Sequence, residues 1–196
     1  MSAPAAGKVM DGLEALKVLT RARTDEVVVL SESCRQDWPP LSMRPELDIA
    51  VTGSMGKASS FGLGIALARP DVRVWVLDTD GALLMNLGSL VTIARAKPAN
   101  LLHVVYDNDA YDTTGGQPTP GSRMADFRAL AHDSGYPASY RFEDVAALER
   151  ELASVLAGPL PALAVLKVAS RGRRANMSMK RTYDSFVAIK EYLAAR

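Results

Sequence analysis

Short, apolar, β-branched segments alternate with longer segments of helical periodicity, and this alternation restricts the chain to few folds. Residues 48–52 (Asp-Ile-Ala-Val-Thr), 72–77 (Val-Arg-Val-Trp-Val-Leu) and 101–106 (Leu-Leu-His-Val-Val-Tyr) read as strands. Between them lie two helical stretches. One is Ala/Gly/Leu-rich and runs from Gly56 to about Ala68; the other runs from Ala82 to Lys97 and carries Leu83, Leu84, Leu87, Leu90, Val91 and Ile93. Connections of this length predict parallel strands joined by right-handed crossovers, with helices covering both faces. The expected fold is α/β, a three-layer α/β/α arrangement with a mostly parallel central sheet. The flanks extend the pattern: a helix over 8–23, a strand over 26–30, a helix carrying His132, a helix over 144–156, a strand over 162–168 and a terminal helix over 183–195. Residues 31–47, with Pro39, Pro40 and Pro45 among polar side chains, read as an irregular loop at a strand end.

The 196 residues suit one domain, 1–196, with a substantial core. With 48% hydrophobic and 23% charged residues, disorder and coiled coil are poor explanations. Lys and Arg number 23 against 22 Asp and Glu, so no whole-molecule field favours nucleic acid. Cys34 is the sole cysteine, which excludes an internal disulfide, a Cys-rich zinc site and the cysteine clusters of iron–sulfur centres. The N-terminal Met-Ser-Ala-Pro-Ala-Ala lacks the pattern of a signal peptide, and no apolar run approaches the roughly 20 residues of a membrane span. A cytoplasmic protein is expected.

Ligands of open parallel sheets bind outside the carboxyl ends of strands. One such end here is Asp78-Thr79-Asp80-Gly81-Ala82, and the next is Asp107-Asn108-Asp109-Ala110-Tyr111. If the two strands are neighbours, Asp80 and Asn108 face each other as carboxylate and amide oxygens. Both are hard donors suited to Mg²⁺, which completes its octahedral shell with water and phosphate oxygens. A third strand end, Gly53-Ser54-Met55-Gly56, directly precedes a helix, where free N–H groups favour an anion. Gly81 permits close backbone approach.

These residues carry a resemblance. Asp80-Gly81, twenty-five further residues and Asp107-Asn108 resemble the Gly-Asp-Gly…Asn-Asn signature of the diphosphate-binding (PP) domain of thiamine diphosphate (ThDP) enzymes. Gly53-Ser-Met-Gly56-Lys-Ala-Ser-Ser, Leu83-Leu-Met-Asn-Leu-Gly88 and the run from Asp107 to Thr119 are similar to one branch, the sulfopyruvate decarboxylase β subunits and phosphonopyruvate decarboxylases. The likeness covers residues 48–121 and reaches the flanks only in layout. It implies ThDP and Mg²⁺ as cofactors, with Asp80, Asn108 and the Ala110 carbonyl as metal ligands. Gly81 and Ala82 would lie along the diphosphate, Gly53 and Ser54 would border the aminopyrimidine, and Met55 would wedge the cofactor into its bent shape. Tyr111 belongs to the same cofactor-binding set. Thr113, Thr114, Gly115, Gly116 and Gln117 would close over the cofactor or touch substrate. Two positions depart from the signature: Thr79 stands for its first glycine and Asp107 for its first asparagine.

The resemblance further implies a subunit of a 2-oxo acid decarboxylase acting on a small anionic substrate such as sulfopyruvate or phosphonopyruvate. The activating glutamate would come from a pyrimidine-binding (PYR) domain on an α-type partner, in a hetero-oligomer. An acetolactate-synthase-like carboligase and a non-catalytic ThDP-binding or regulatory module remain as alternatives.

Other motifs fail on inspection. Gly62-Leu-Gly64 lacks a third glycine at Leu67 and lies inside a helix, where packing accounts for it, so a dinucleotide site is not expected. Gly56-Lys57 lacks the P-loop glycine at Val51 and the hydroxyl at Ala58. His103, mid-strand, reads as a partly buried structural histidine, and His132 has no recognisable partner. Met85, Met124, Met177 and Met179 read as packing or contact residues. The basic run Arg171-Gly-Arg-Arg174…Lys180-Arg181 reads as a solvated loop or subunit contact, with an anionic substrate as the sharper alternative.

Overall fold

The structure, a computed structural model, describes residues 9–172 and 182–194. Six strands form one sheet: β1 (Val27–Leu30), β2 (Asp48–Ala50), β3 (Val74–Thr79), β4 (Leu101–Asp107), β5 (Ala138–Phe142) and β6 (Ala162–Lys167). Their spatial order is β2-β1-β3-β4-β6-β5 and every pair is parallel. The eight helices among the described residues are α1 (Gly12–Ala22), α2 (Cys34–Asp37), α3 (Ala58–Ala68), α4 (Asp80–Leu84), α5 (Ser89–Ala96), α6 (Phe127–Ser134), α7 (Val145–Ala157) and α8 (Thr182–Ala194). None is long and apolar enough to cross a membrane.

Side chains alternate across a strand, so a sheet covered on both faces needs apolar residues at every position. The central strands meet that demand. Val28, Leu30, Trp75, Leu77, Val104 and Tyr106 join Leu16 and Leu19 of α1 and Leu148 and Leu152 of α7 in one core. Val27, Val29, Val74, Val76 and Val105 join Ala58 of α3, Ile93 of α5, Phe127 of α6 and Ile189 of α8 in the other. These two cores are the interfaces of the three-layer α/β/α fold, and its sheet is parallel throughout the described residues. Helix starts are set by side-chain caps: Asp11, Thr79, Asp126 and Asp144 each accept hydrogen bonds from first-turn N–H groups.

Four expectations need correction. The helix expected over 82–97 is two helices, because i→i−3 bonds from Met85 and Asn86 to Ala82 and Leu83 tighten and end α4 before Gly88 opens α5. Helix α4 also begins two residues earlier, at Asp80. Residues 31–47 are not wholly irregular: they hold α2 and a 3-10 turn, Pro45–Leu47, anchored by buried Trp38, whose Nε1 donates to Asp48 at 3.1 Å. Strand β5 was not anticipated, since an edge strand that is only half buried lacks a continuous apolar run. Finally, packing explains Gly62 but not Gly64. A Cβ on Gly62 would sit 2.2 Å from Val76 Cγ2, whereas one on Gly64 would meet nothing within 4 Å. Residues 173–181 of the basic run, with Met177 and Met179, lie outside the described residues, as do the ends of the first and last expected helices.

The two glycines give a paired test by urea denaturation. Gly62→Ala should destabilise by about 1–3 kcal/mol through overpacking against β3, whereas Gly64→Ala, in an exposed helix interior, should stabilise by about 0.5–1 kcal/mol. Equal effects would contradict the packing of α3 on β3.

Candidate cofactor and metal site

The loops after β1, β2, β3 and β4 all open on the carboxyl edge of the sheet, around the place where the chain, having laid β2 on one side of β1, crosses to lay β3 on the other. This is a topological switch point. Strands β3 and β4 are direct neighbours, with Thr79 paired to Tyr106 at the last rung. The next residues along the two strands are Asp80 and Asp107, so the pairing sets two carboxylates side by side.

Asp80 is 1% exposed. Its Oδ2 accepts a hydrogen bond from the Thr119 hydroxyl at 3.0 Å, while Oδ1 is buried and has no hydrogen-bond partner. Burial and the neighbouring Asp107 charge push its pKa up to about 7; the Thr119 hydroxyl, the Gly81 N–H and Lys167 act in the opposite direction. Burial also raises Asp107, against the pull of Lys167. Lys167, the last residue of β6, places Nζ 3.0 Å from Asp107 and 2.7 Å from Asp109. Partial burial works upward on Asp109, but the hydrogen bonds from Lys167 and the Arg123 backbone outweigh it and hold this carboxyl below its usual range.

Asp109 adopts φ +59°, an uncommon conformation for a non-glycine residue. Its side chain accepts from the Arg123 N–H at 3.0 Å, and its carbonyl accepts from the Thr119 N–H at 3.0 Å, so the turn is held from both ends. Asn108 directs Nδ2 to Asp112 at 2.8 Å and accepts a long 3.3 Å bond from the Ala110 N–H on Oδ1. Beyond it, Ala110 bridges Pro118, Tyr111 N–H donates to Gln117, and Thr114 and Gly116 donate back to Tyr111. The loop of Thr113, Thr114, Gly115, Gly116 and Gln117 thus folds on itself, and Thr113 ties it to Glu32 of the β1 loop at 2.9 Å. The Tyr111 ring lies directly on Gly81, where a Cβ would come within 2.4 Å of it.

The β2 loop closes the ring of elements. Gly53 has φ +68° and Gly56 φ +80°, and Gly56 approaches α4 so closely that a Cβ would lie 3.0 Å from the Ala82 carbonyl. A narrow cleft follows, lined by Glu32, Ser33, Met55, Thr79, Ala110, Tyr111, Asp112 and Thr113. The structure therefore gathers the sequence-derived residues along one sheet edge, with one difference in detail. The group that faces Asp80 electrostatically is Asp107, while the Asn108 amide is turned toward Asp112.

Several further participants come from elsewhere in the chain: Glu32 and Ser33 from the loop after β1, Thr119 on Asp80, Lys167 from β6, and Asp112 with Ser170. His103 is fully rather than partly buried. Its Nε2 lies 3.3 Å from Asp78 and its Nδ1 3.4 Å from the Tyr136 hydroxyl, which leaves it in a structural role. His132 is exposed beside Asp133. Arg171, from the basic run, pairs with Asp37.

Among the described residues no three His, Cys, Asp or Glu side chains converge to hold a metal unaided. A cation at this edge would need amide and carbonyl oxygens beside carboxylate. Asp80 Oδ1, buried and unpartnered, and Asn108 Oδ1, with acceptor capacity left over, supply that hard-oxygen chemistry and fit Mg²⁺.

Fold and site together define a parallel α/β domain whose switch-point edge carries a narrow cleft lined in part by Glu32 and Asp112, with the buried carboxylates Asp80 and Asp107 at the ends of β3 and β4. Residues 37–166 match the family described as thiamine pyrophosphate enzyme, C-terminal TPP binding domain, and the chain belongs to this family. Over 149 residues it is 40% identical to the sulfopyruvate decarboxylase subunit beta of Methanothermobacter thermautotrophicus, covering 74% of this chain and 77% of that one. It is 42% identical over 118 residues to the phosphonopyruvate decarboxylase of Streptomyces viridochromogenes, covering 60% of this chain but only 29% of that protein. The solved structure of a thiamine diphosphate-dependent 4-hydroxybenzoylformate decarboxylase from Rhodococcus jostii RHA1 superposes with a TM-score of 0.63 at 19% identity, over 86% of this chain and 34% of that one, a likeness of fold.

The raised pKa of Asp80 makes a prediction for the metal-free protein. The folded state keeps a proton that the unfolded chain releases near pH 4, so the associated stability is complete below that pH and is lost as pH rises toward 7. Asp80→Asn cannot ionise. Its urea midpoint, relative to wild type, should therefore climb across this interval, and a difference that stays flat would contradict the buried position of the carboxylate.

Proposed function

We propose that the chain is the diphosphate- and Mg²⁺-binding subunit of a ThDP-dependent decarboxylase acting on a small anionic 2-oxo acid of the sulfopyruvate or phosphonopyruvate kind. The observation that carries this reading is Asp80: a carboxylate buried at the switch-point edge with one oxygen unpartnered, in a chain of the TPP-binding family. The names of the two relatives supply the substrate class, and the β-subunit designation of one supports a partner. That partner would be an α-type chain bearing the PYR domain and the activating glutamate, in a hetero-oligomer.

When bound, thiamine diphosphate supplies the electron sink that lets a 2-oxo acid release CO₂. The chain's own residues would bind, orient and shield. Asp80, Asn108 and the Ala110 carbonyl would hold Mg²⁺, and Asp80 would enter the site by losing its proton, since a ligating carboxylate must be ionised. Gly81 and Ala82 would let the backbone approach the diphosphate, with Tyr111 packed over Gly81. Gly53 and Ser54 would border the aminopyrimidine, and Met55, lining the cleft, would set the bend of the cofactor. Residues 113–117, fastened to Glu32 through Thr113, would keep water from the reacting carboxylate, whose loss is favoured where charge is poorly solvated. Lys167 would keep Asp107 and Asp109 from repelling an anionic substrate.

The experiment uses the chain co-purified with its partner. Asp80→Ala should lower Mg²⁺-dependent ThDP affinity by roughly a hundredfold in calorimetry with the circular dichroism spectrum unchanged, and abolish CO₂ release from sulfopyruvate and phosphonopyruvate. Unchanged affinity would contradict the metal assignment, and cofactor binding without turnover on any 2-oxo acid would favour a binding module. Met55→Ala should reduce kcat by roughly tenfold with little change in cofactor affinity; a normal kcat would remove Met55 from this role.

A further inference from the structure

We propose that Asp112 is a positioning residue that locks the Asn108 amide with its oxygen toward the cation and couples this metal loop to the segment after β6. The inference rests on the functional reading above.

Asp112 is 3% exposed and makes three hydrogen bonds. Its Oδ2 accepts from Asn108 Nδ2 at 2.8 Å and from the Arg171 N–H at 3.1 Å, and its Oδ1 accepts from the Ser170 hydroxyl at 2.6 Å. Ser170 is itself braced, since its Oγ accepts from the Gly172 N–H at 3.2 Å. The buried carboxylate thus has one partner on the metal loop and two on the strand-end segment that follows Lys167.

The Asn108 amide has two orientations, and its surroundings permit one. As observed, Nδ2 donates to an acceptor-only carboxylate and Oδ1 accepts from the Ala110 N–H. Flipping the amide would set its oxygen against the Asp112 oxygen and its NH₂ against the Ala110 N–H, leaving both ends mismatched. An asparagine can serve as a hard-cation ligand only through its oxygen. The partner of its nitrogen therefore decides whether that ligand is ready before the metal arrives. The charge on Asp112 also polarises the amide and makes Oδ1 the better donor. Because the same oxygen of Asp112 holds the Arg171 N–H, whatever steadies Asn108 steadies the start of that segment.

The test is calorimetry of Mg²⁺ titrated at saturating ThDP into the full chain purified with its partner, together with amide hydrogen exchange at Arg171. Asp112→Ala should weaken Mg²⁺ roughly tenfold or more. Asp112→Asn should stay within about threefold of wild type, because the Ser170 hydroxyl can turn to accept from the new amide while the remaining oxygen holds Asn108. In wild type, Mg²⁺ and ThDP should slow exchange at Arg171, and Asp112→Ala should erase that change. Should Asp112→Ala be too unstable to purify, Ser170→Ala decides: weaker Mg²⁺ binding and faster exchange at Arg171 support the proposal, and wild-type values for both overturn it. Wild-type Mg²⁺ affinity in Asp112→Ala, with affinity lost in Asp80→Ala, overturns the positioning role alone. Affinity retained in Asp80→Ala overturns the functional reading and this inference with it.

Discussion

Parallel, in-register pairing of β3 with β4 governs the chemistry of the whole sheet edge. It delivers two carboxylates, Asp80 and Asp107, to adjacent points as their strands end, and the helices covering both faces take them out of water. Two buried like charges are unfavourable unless each finds a counter-charge. Asp107 has Lys167 in direct contact; Asp80 draws on the Thr119 hydroxyl, the Gly81 N–H and the field of Lys167, which still leave its pKa raised and one oxygen without a hydrogen-bond partner. The domain thus carries one unresolved acidic group at the position where parallel sheets bind ligands, which a divalent cation would resolve.

The loops around this group are held by specific backbone devices. Left-handed residues at Gly53, Gly56 and Asp109 turn the chain sharply, and Asp109 is kept in that conformation by bonds to Arg123, Thr119 and Lys167. Such conformations persist where the surroundings over-determine them, and they cluster at ligand sites. The contacts of Tyr111 on Gly81, Thr119 on Asp80 and Thr113 on Glu32 draw the β4 loop across the β1 and β3 loops. Preorganisation of this kind lowers the entropy lost when a ligand is bound.

Five of the six strands, and the polar residues that fall at the ends of β3 and β4, were legible in the sequence because they depend on local pattern. Apolar runs bounded by turn residues mark β3 and β4, and Asp80-Gly81 and Asp107-Asn108 fall at their ends. What escaped depends on contacts between distant parts of the chain. Lys167 meets Asp107 only because β6 inserts beside β4, ahead of β5, an order that no single segment encodes. Ser170 with Asp112 and Glu32 with Thr113 likewise join segments 58 and 81 residues apart. The break between α4 and α5 was hidden because the apolar periodicity runs through residues 85–88 although the hydrogen-bond pattern changes there.

Membership in the TPP-binding family and 40% sequence identity to a sulfopyruvate decarboxylase β subunit agree with the geometry of this edge, and neither depends on it. The most direct measurement is a crystal structure of the co-purified complex with ThDP and Mn²⁺, a divalent ion located by its anomalous signal. The expected result is a single ion within bonding distance of Asp80 Oδ1 and Asn108 Oδ1, the hard-oxygen donors this edge supplies. An ion bound elsewhere, with Asp80 Oδ1 still unpartnered, would contradict the central claim.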